Sequence, residues 1–321
     1  MAPPPNFKVY VLDPYHPDAI DLVLRTPNVE AILPDDPRKK EWHTDADGLM
    51  IRSDSRLTEQ DFAKATRLRV VVKQGVGVDN IDLEGARKYG IAVHNTPALN
   101  SEAVAELSLA LTLTLSRRVA EIDRAIRSGA TVIRSQTLST SMFRKTVGVV
   151  GMGNIGRFIA QKWRGAFDCA LFAYDPYAPA DAWADIEHIR VSQLDDLLRA
   201  ADVVTLHVPL LDSTRGLIGE HELAIMKKTA FLVNCARGGI VDEKALLTAL
   251  AKRQIGGAAL DTTEVEPPNL AVYGELLQYE NVIITPHIGG STKENQSRNG
   301  CFVVETLVKV LEEQEAAGKL V

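Results

Sequence analysis

Cysteine is scarce in this chain, and what there is does not pair. Cys169, Cys235 and Cys301 are the only three. None stands in C-x-x-C spacing, which argues against a disulfide framework and structural zinc and fits a reducing compartment. A basic surplus is also missing. Lys and Arg number 36 against 42 Asp and Glu, a formal net charge of -6, so nothing draws the chain as a whole to nucleic acid or an anionic membrane. An anionic small molecule must be caught by a local cluster of cations. Long apolar runs are lacking too: the longest, Ala103 to Leu115, is interrupted by Glu106, Ser108, Thr112 and Thr114, too few apolar residues to span a bilayer. The start, Met1 to Phe7, has neither a charged n-region nor an apolar h-region, and the ending Gly318-Lys319-Leu320-Val321 misses the S-K-L address. These absences predict a cytoplasmic protein with no metal site and no nucleic-acid or membrane partner.

What is present is an ordinary globular composition, 45% hydrophobic and 24% charged over 321 residues, long enough for two domains. Short apolar runs at Phe7 to Leu12, Ala31 to Leu33, Gly48 to Ile51 and Val70 to Val72 alternate with polar or helix-like segments. That is the α/β pattern with a parallel sheet. A second series, Val147 to Val150, Leu171 to Tyr174, Val203 to Val208, Ala230 to Val233, Gly257 to Leu260 and Val282 to Ile284, supplies six further strands. Between the two series lies a helix from Glu102 to about Ser116, apolar nearly all round and therefore buried, under a sheet or in a subunit interface. A polar arm from Val119 to Arg144 follows it.

The second series opens on Thr146 to Arg157, TVGVVGMGNIGR. A β-branched strand runs into Gly151, Gly153 and Gly156 in G-x-G-x-x-G spacing, and a helical pattern begins there. The first glycine permits the tight turn, the second lets backbone approach a pyrophosphate, and the third lets helix and strand pack, with free N–H groups at the helix start facing the phosphates. About 20 residues beyond, at the end of the next strand, Asp175 is positioned to bond a ribose 2′-hydroxyl and to repel the 2′-phosphate of NADP. Pro176 and Tyr177 bring no cation to that phosphate. NAD is the expected cofactor.

Three later loops leave strands at their carboxyl ends: Asn234-Cys235-Ala236-Arg237-Gly238-Gly239, Asp261 to Pro267, and Thr285 to Gly290. Arg237 has the planar fork that binds a carboxylate bidentately. Glu266 is followed by two prolines, and His287 by a proline before it and two glycines after Ile288. An Arg, a carboxylate and a His converging beside a dinucleotide motif indicate proton and hydride chemistry. The glycine-rich loop Gln74 to Asp82 also follows a strand and is a candidate ligand loop.

Taken together, VGVVGMGNIG, Asp175, HVPL, NCARGGIVDE, D-x-x-x-x-E-P and TPHIGGST resemble the D-isomer-specific 2-hydroxyacid dehydrogenase family, from Gly48 to the last helix. Within it, QGVGVDNID, NCARGGIVDEKALLTAL and HIGGSTKENQSR are most similar to the D-3-phosphoglycerate dehydrogenases. The resemblance implies two Rossmann-like or flavodoxin-like α/β domains with parallel sheets and a cleft between them. Residues 1–100 with 292–321 would form the substrate-binding domain, and 101–291 the NAD-binding domain. It implies that Arg237 holds the substrate carboxylate, that His287 exchanges a proton with the C2 oxygen, and that Glu266 orients His287. Cofactor contacts carry over onto Asn154, Ile155, His207, Pro209, Thr214, Cys235, Ala236, Asp261 and Gly290, and substrate contacts onto Val76, Gly77 and Asn100. Arg52, Lys73 and, from a partner's arm, Arg134 are the candidate phosphate ligands. Lys73 stands where animal relatives usually carry arginine, and lysine lacks the bidentate fork. A short form without a regulatory domain is expected, as is a homodimer through the helix Glu102 to Ser116 and the following arm. Two other readings stay open: a reductase for glyoxylate, hydroxypyruvate or another 2-oxo acid, and an NAD-sensing corepressor-like binding protein.

Overall fold

The computed structural model describes residues 7–321; Pro3 to Pro5, the one low-complexity run, lie outside the described residues. They form two compact units, one built from residues up to Asn100 together with Gly290–Val321, the other from Ser101–Gly289.

In the first unit, β1 (Phe7–Val11), β2 (Val29–Ile32), β3 (Gly48–Ile51), β4 (Val70–Lys73) and β5 (Ala92–Asn95) make one sheet in the order β2-β1-β3-β4-β5. Every pairing is parallel, and the order is the flavodoxin-like one. Strand side chains alternate between faces. Val9 and Val11 thus join Val70 and Val72 on one side, whereas Tyr10 and Leu12 join Ile51, Val71 and Val93 on the other. The first face is covered by the final helix, Lys293–Leu311, which buries Val303, Val304, Leu307 and Leu311, each worth about 1.5–3 kcal/mol of apolar burial. Gly318 to Leu320 return along β5: the Asn95 amide donates to Gly318 O and the Leu320 amide to Val93 O, an antiparallel contact on the sheet edge.

The second unit holds a seven-stranded sheet of β6 (Thr146–Val150), β7 (Ala170–Tyr174), β8 (Ile189–Arg190), β9 (Val203–Leu206), β10 (Phe231–Asn234), β11 (Gly257–Leu260) and β12 (Val282–Ile284), in the order β12-β11-β10-β9-β6-β7-β8. This is the Rossmann order with a seventh strand added. β8 is two residues long and carries too little pattern to be read in advance. The register aligns the strand ends. Tyr174 pairs with Val150, Val150 with Leu206, Leu206 with Asn234, Asn234 with Leu260, and Leu260 with Ile284. The loops after six adjacent strands therefore start level, on one edge.

The apolar helix runs from Ser101 to Ser116 and packs on the helix Asn154–Phe167 and on β10, β11 and β12 of its own unit. One side of the helix is buried in this way, whereas Leu107, Leu109 and Leu113 are half-buried and Ala110 is exposed, so an apolar face remains uncovered within the unit. Exposed apolar side chains also sit on the arm after it, at Ile126, Ile133, Leu138 and Phe143. Among the described residues no helix is long and apolar enough to cross a membrane.

Candidate active site

The glycine turn has the geometry its sequence calls for. Gly151 has φ 102°, a left-handed conformation that favours glycine, and a Cβ there would lie 2.5 Å from the His207 carbonyl oxygen. At Gly156 a Cβ would stand 2.1 Å from Gly151 O, which is why helix and turn can touch. Gly153 is the opposite case: a Cβ would meet nothing within 4 Å. It is the N-cap of the helix Asn154–Phe167, makes no side-chain cap, and is exposed together with Asn154. An uncapped helix start facing open space has its first N–H groups available to a phosphate. Ile155 beside it is half-buried.

Asp175 leaves β7 across from this turn. Its carboxylate accepts from the Met152 amide at 2.9 Å, from Tyr177 N at 2.9 Å and from Ala178 N at 3.1 Å. It therefore braces the turn, with lone-pair capacity remaining for a hydroxyl. One neighbour went unseen in the sequence: Arg190 on β8 folds to the same corner. Its guanidinium donates to the carbonyl oxygens of Asp175, Ala178 and Pro179 and is committed to backbone.

Just after β9, His207 sits half-buried. Its Nε2 is 2.7 Å from Thr205 Oγ1, which in turn lies 3.0 Å from Ser108 Oγ; its Nδ1 is buried without a partner. Burial pushes its pKa down to about 3, so the ring is neutral. A buried ring nitrogen lacking a protein partner fits a bound polar ligand better than a packed core. Thr214 closes the following turn, donating to Pro209 O at 2.6 Å and accepting from Leu211 N at 2.8 Å, with Pro209 exposed. Cys235 is buried and burial pushes its thiol strongly up, which makes it unreactive, and Ala236 beside it is buried too. The free cysteines are Cys169, Cys235 and Cys301.

The three later loops start side by side. After β10, Asn234 shapes the turn, its side chain accepting from Ala236 N at 3.0 Å and donating to Arg237 O at 2.8 Å. Arg237 Nη1 donates to Ala236 O at 2.6 Å, and Arg237 also lends its charge to Glu266. After β11, Glu266 Oε2 lies 3.0 Å from His287 Nδ1. Burial opposes ionisation of Glu266, but the hydrogen bond and charge of His287 outweigh it and lower its pKa. After β12, His287 takes φ 55°, with its Nε2 free of that carboxylate bond. Asp261, expected as a cofactor contact, is fully buried, and both its oxygens serve the His287 loop: Oδ1 accepts from Thr285 Oγ1 and Ile288 N, Oδ2 from Gly289 N.

The remaining sequence candidates belong to the first unit or to the arm. Lys73 ends β4 and is buried, its Nζ 3.5 Å from Gln74 O. The loop after it is pinned by Thr96, whose hydroxyl accepts from Gly75 N, and by Asn95, which donates to Val76 O at 2.7 Å. Val76 is exposed and Gly77 half-buried. Arg52 donates to Pro14 O at 2.9 Å. Asn100 has a buried, unpartnered Oδ1, and Gly290 O accepts from Asn295 and Gln296. Arg134 is exposed on the arm of the second unit.

A family model for the D-isomer specific 2-hydroxyacid dehydrogenase, NAD binding domain, matches residues 109–289, nearly the whole second unit. The chain belongs to this family. Its second unit is the NAD-binding domain, and the open glycine turn, the Asp175 corner and the orphaned His207 Nδ1 fit that cofactor. The chain is 40% identical to the D-3-phosphoglycerate dehydrogenase of Methanocaldococcus jannaschii, over 95% of this chain and 57% of that one. A similar match to the Bacillus subtilis protein of the same name is 37% identical. The chain thus spans little more than half the length of these relatives. It is also 35% identical to the hydroxypyruvate reductase of Thermotoga maritima, over 95% of this chain and 99% of that one. Among solved structures, a Thermus thermophilus protein matches with TM-score 0.87 and 34% identity, covering 98% of this chain and 100% of that one. The D-lactate dehydrogenase of Lactobacillus jensenii with NAD+ matches with TM-score 0.81 and 28% identity, covering 98% and 99%.

Proposed function

We propose that this chain is an NAD-dependent dehydrogenase that interconverts a D-2-hydroxy acid and its 2-oxo acid, with D-3-phosphoglycerate as the substrate. The observation that carries the reading is the Glu266–His287 pair, 3.0 Å apart, on adjacent strand ends of an NAD-binding domain with Arg237 on the next. Bound NADH supplies the hydride that reduces C2. Arg237 grips the substrate carboxylate through its fork and polarises the 2-oxo group. His287 holds a proton at Nε2 and delivers it to the C2 oxygen as negative charge develops there. Glu266, ionised, fixes the ring through Nδ1 and balances its positive charge, as an orienting carboxylate does in a triad. Val76, Gly77 and Asn100 belong to the same reading as substrate contacts, and Lys73, Arg52 and a partner's Arg134 as ligands for a phosphate.

The names of the relatives at 40% and 37% identity support the phosphorylated substrate. A second reading, reduction of hydroxypyruvate or glyoxylate, is favoured by the Thermotoga relative, matched over nearly its full length, and by lysine at position 73. Initial rates of NADH oxidation with 3-phosphohydroxypyruvate, hydroxypyruvate and glyoxylate, repeated with NADPH, decide between them. A kcat/KM for the phosphorylated acid at least about tenfold above the others, about 1.4 kcal/mol of transition-state binding, supports the first reading and a place at the entry to serine synthesis. Equal values sink the phosphate claim, and no turnover of any 2-oxo acid sinks both. Cytoplasmic placement and a homodimer, the latter through the helix Glu102 to Ser116 and the following arm with its exposed Ile126, Ile133, Leu138 and Phe143, complete the proposal.

A further inference from the structure

Within the loop that carries Glu266, Thr263 alone supplies bonds among the described residues: its hydroxyl donates to Val265 O at 3.0 Å and its amide to Glu266 Oε1 at 3.4 Å. Residues Glu264 to Pro267 are exposed and lie outside any helix or strand. From behind it is held by two further side chains, one 21 residues before it and one eight residues after. Glu243, the first residue of the helix Glu243–Ala251, accepts at Oε1 from the Glu264 amide at 2.8 Å and from the Tyr273 hydroxyl at 3.4 Å. That hydroxyl accepts from the Val265 amide at 2.9 Å. The two amides just before Glu266 therefore end on one carboxylate and phenol. Gly238 completes the support: a Cβ there would stand 2.0 Å from Thr263 O, so the Arg237 loop and the Glu266 loop lie in direct contact.

This arrangement is costly. Tyr273 is 2% exposed and Glu243 is half-buried. Burial raises the Glu243 pKa, and the charges of Glu264 and Asp242 that face it raise it further. Among the described residues no cation hydrogen-bonds its carboxylate. A carboxylate kept in such a place without a cation is disfavoured unless its hydrogen bonds are needed.

We infer that Glu243 and Tyr273 are a positioning pair that aims the Glu266 carboxylate at His287. The inference rests on the proposed dehydrogenase reading. The charged groups facing Glu266 are His287 and Arg237, so a Glu266 that swings away deprives the His287 imidazolium of its counter-charge.

The test is steady-state reduction of 3-phosphohydroxypyruvate by NADH across pH, with hydroxypyruvate run alongside, on Glu243→Ala, Glu243→Gln and Tyr273→Phe, with Glu266→Gln and His287→Ala as references. Glu243→Ala should lower kcat about tenfold, leave the KM for NADH within about twofold, and move the alkaline limb of the profile to lower pH. Tyr273→Phe should do the same more weakly. Glu243→Gln keeps an acceptor for the Glu264 amide and should restore most of kcat with the limb unmoved. A Glu243→Ala protein with normal kcat and limb overturns the inference. So does a Gln variant as impaired as the Ala one, or a loss confined to melting temperature. If Glu243→Ala does not fold, Tyr273→Phe with an unmoved limb and full kcat overturns it. Should Glu266→Gln and His287→Ala both turn over normally, the dehydrogenase reading itself has failed; should they be impaired while the Glu243 and Tyr273 variants are not, only the positioning role has.

Discussion

Asp261 holds His287 by its backbone. The Asp261 carbonyl accepts from the His287 amide at 2.7 Å, and its carboxylate takes the amides of Ile288 and Gly289 at 2.9 and 2.8 Å. His287 sits at φ 55°, a conformation that costs a residue with a Cβ about 1–2 kcal/mol, and these bonds are what offset it. Asp261→Ala should lower kcat and destabilise the protein by about 1–3 kcal/mol by leaving buried donors unmet. Asp261→Asn should recover less than half of either, because its amide presents donors to donors. Urea unfolding and turnover measured together check this, and an Ala variant of normal stability would contradict it.

His287→Ala should chiefly lower kcat, by about a hundredfold or more for a lost general acid. Arg237→Ala should in addition raise KM for the 2-oxo acid steeply, because it anchors the carboxylate in ground and transition states alike. The two KM values discriminate proton transfer from substrate anchoring, and an Arg237→Ala enzyme with unchanged KM refutes the assignment.

The turn glycines should separate folding from cofactor binding. Gly153→Ala meets no neighbour within 4 Å and should leave the melting temperature nearly unchanged while weakening NADH binding, since the added methyl fills the approach to the helix start. Gly156→Ala would sit 2.1 Å from Gly151 O and should cost folding stability, by about 1–3 kcal/mol as overpacking does. Thermal melts and NADH fluorescence titrations read the two effects independently.

Stability should fall in acid partly through His207. Its pKa is about 3 in the folded chain, against about 6.5 when unfolded. Between those values the unfolded chain binds a proton that the folded one does not, so stability drops as pH falls through this window. The slope is at most about 1.4 kcal/mol per pH unit. His207→Asn should flatten the dependence between about pH 6.5 and 3; equal slopes in urea unfolding would exclude the contribution.

The arm should govern assembly. Sedimentation should give a dimer mass for the unaltered chain, and Leu138→Asp combined with Phe143→Asp, at positions 77% and 57% exposed, should shift it toward a monomer. A monomer for the unaltered chain refutes the proposal.

Much of this was readable in advance because the signals are local. A β-branched run, three spaced glycines and a carboxylate at the end of the next strand sit within Thr146 to Asp175, and the same rule of strand ends pointed to Arg237, Glu266 and His287. Glu243 and Tyr273 were not readable, since they stand 30 residues apart and meet each other at the Glu266 loop only once the chain has folded. Arg190 escaped for a similar reason: a two-residue strand has no period, and the residue reaches the Asp175 corner through space. The helix Ser101–Ser116 is instructive in another way. Apolar faces all round require burial, but the pattern cannot name the partner: one side packs on the helix Asn154–Phe167 and the sheet of its own unit, and Leu107, Leu109 and Leu113 are left half-buried.

The first unit is assembled from both ends of the chain, with its final helix closing a core that residues Val9 to Val72 leave open. A ribosome delivers that helix only after Ser101–Gly289, at about 5–20 residues per second. For the whole time that Ser101–Gly289 is being made, the early sheet must wait with that apolar face only partly covered, by Ala19 and Val23 of the helix Pro17–Arg25. The continuous second unit is thus the first able to complete its fold, and the first unit completes its own only when Val303, Val304, Leu307 and Leu311 emerge.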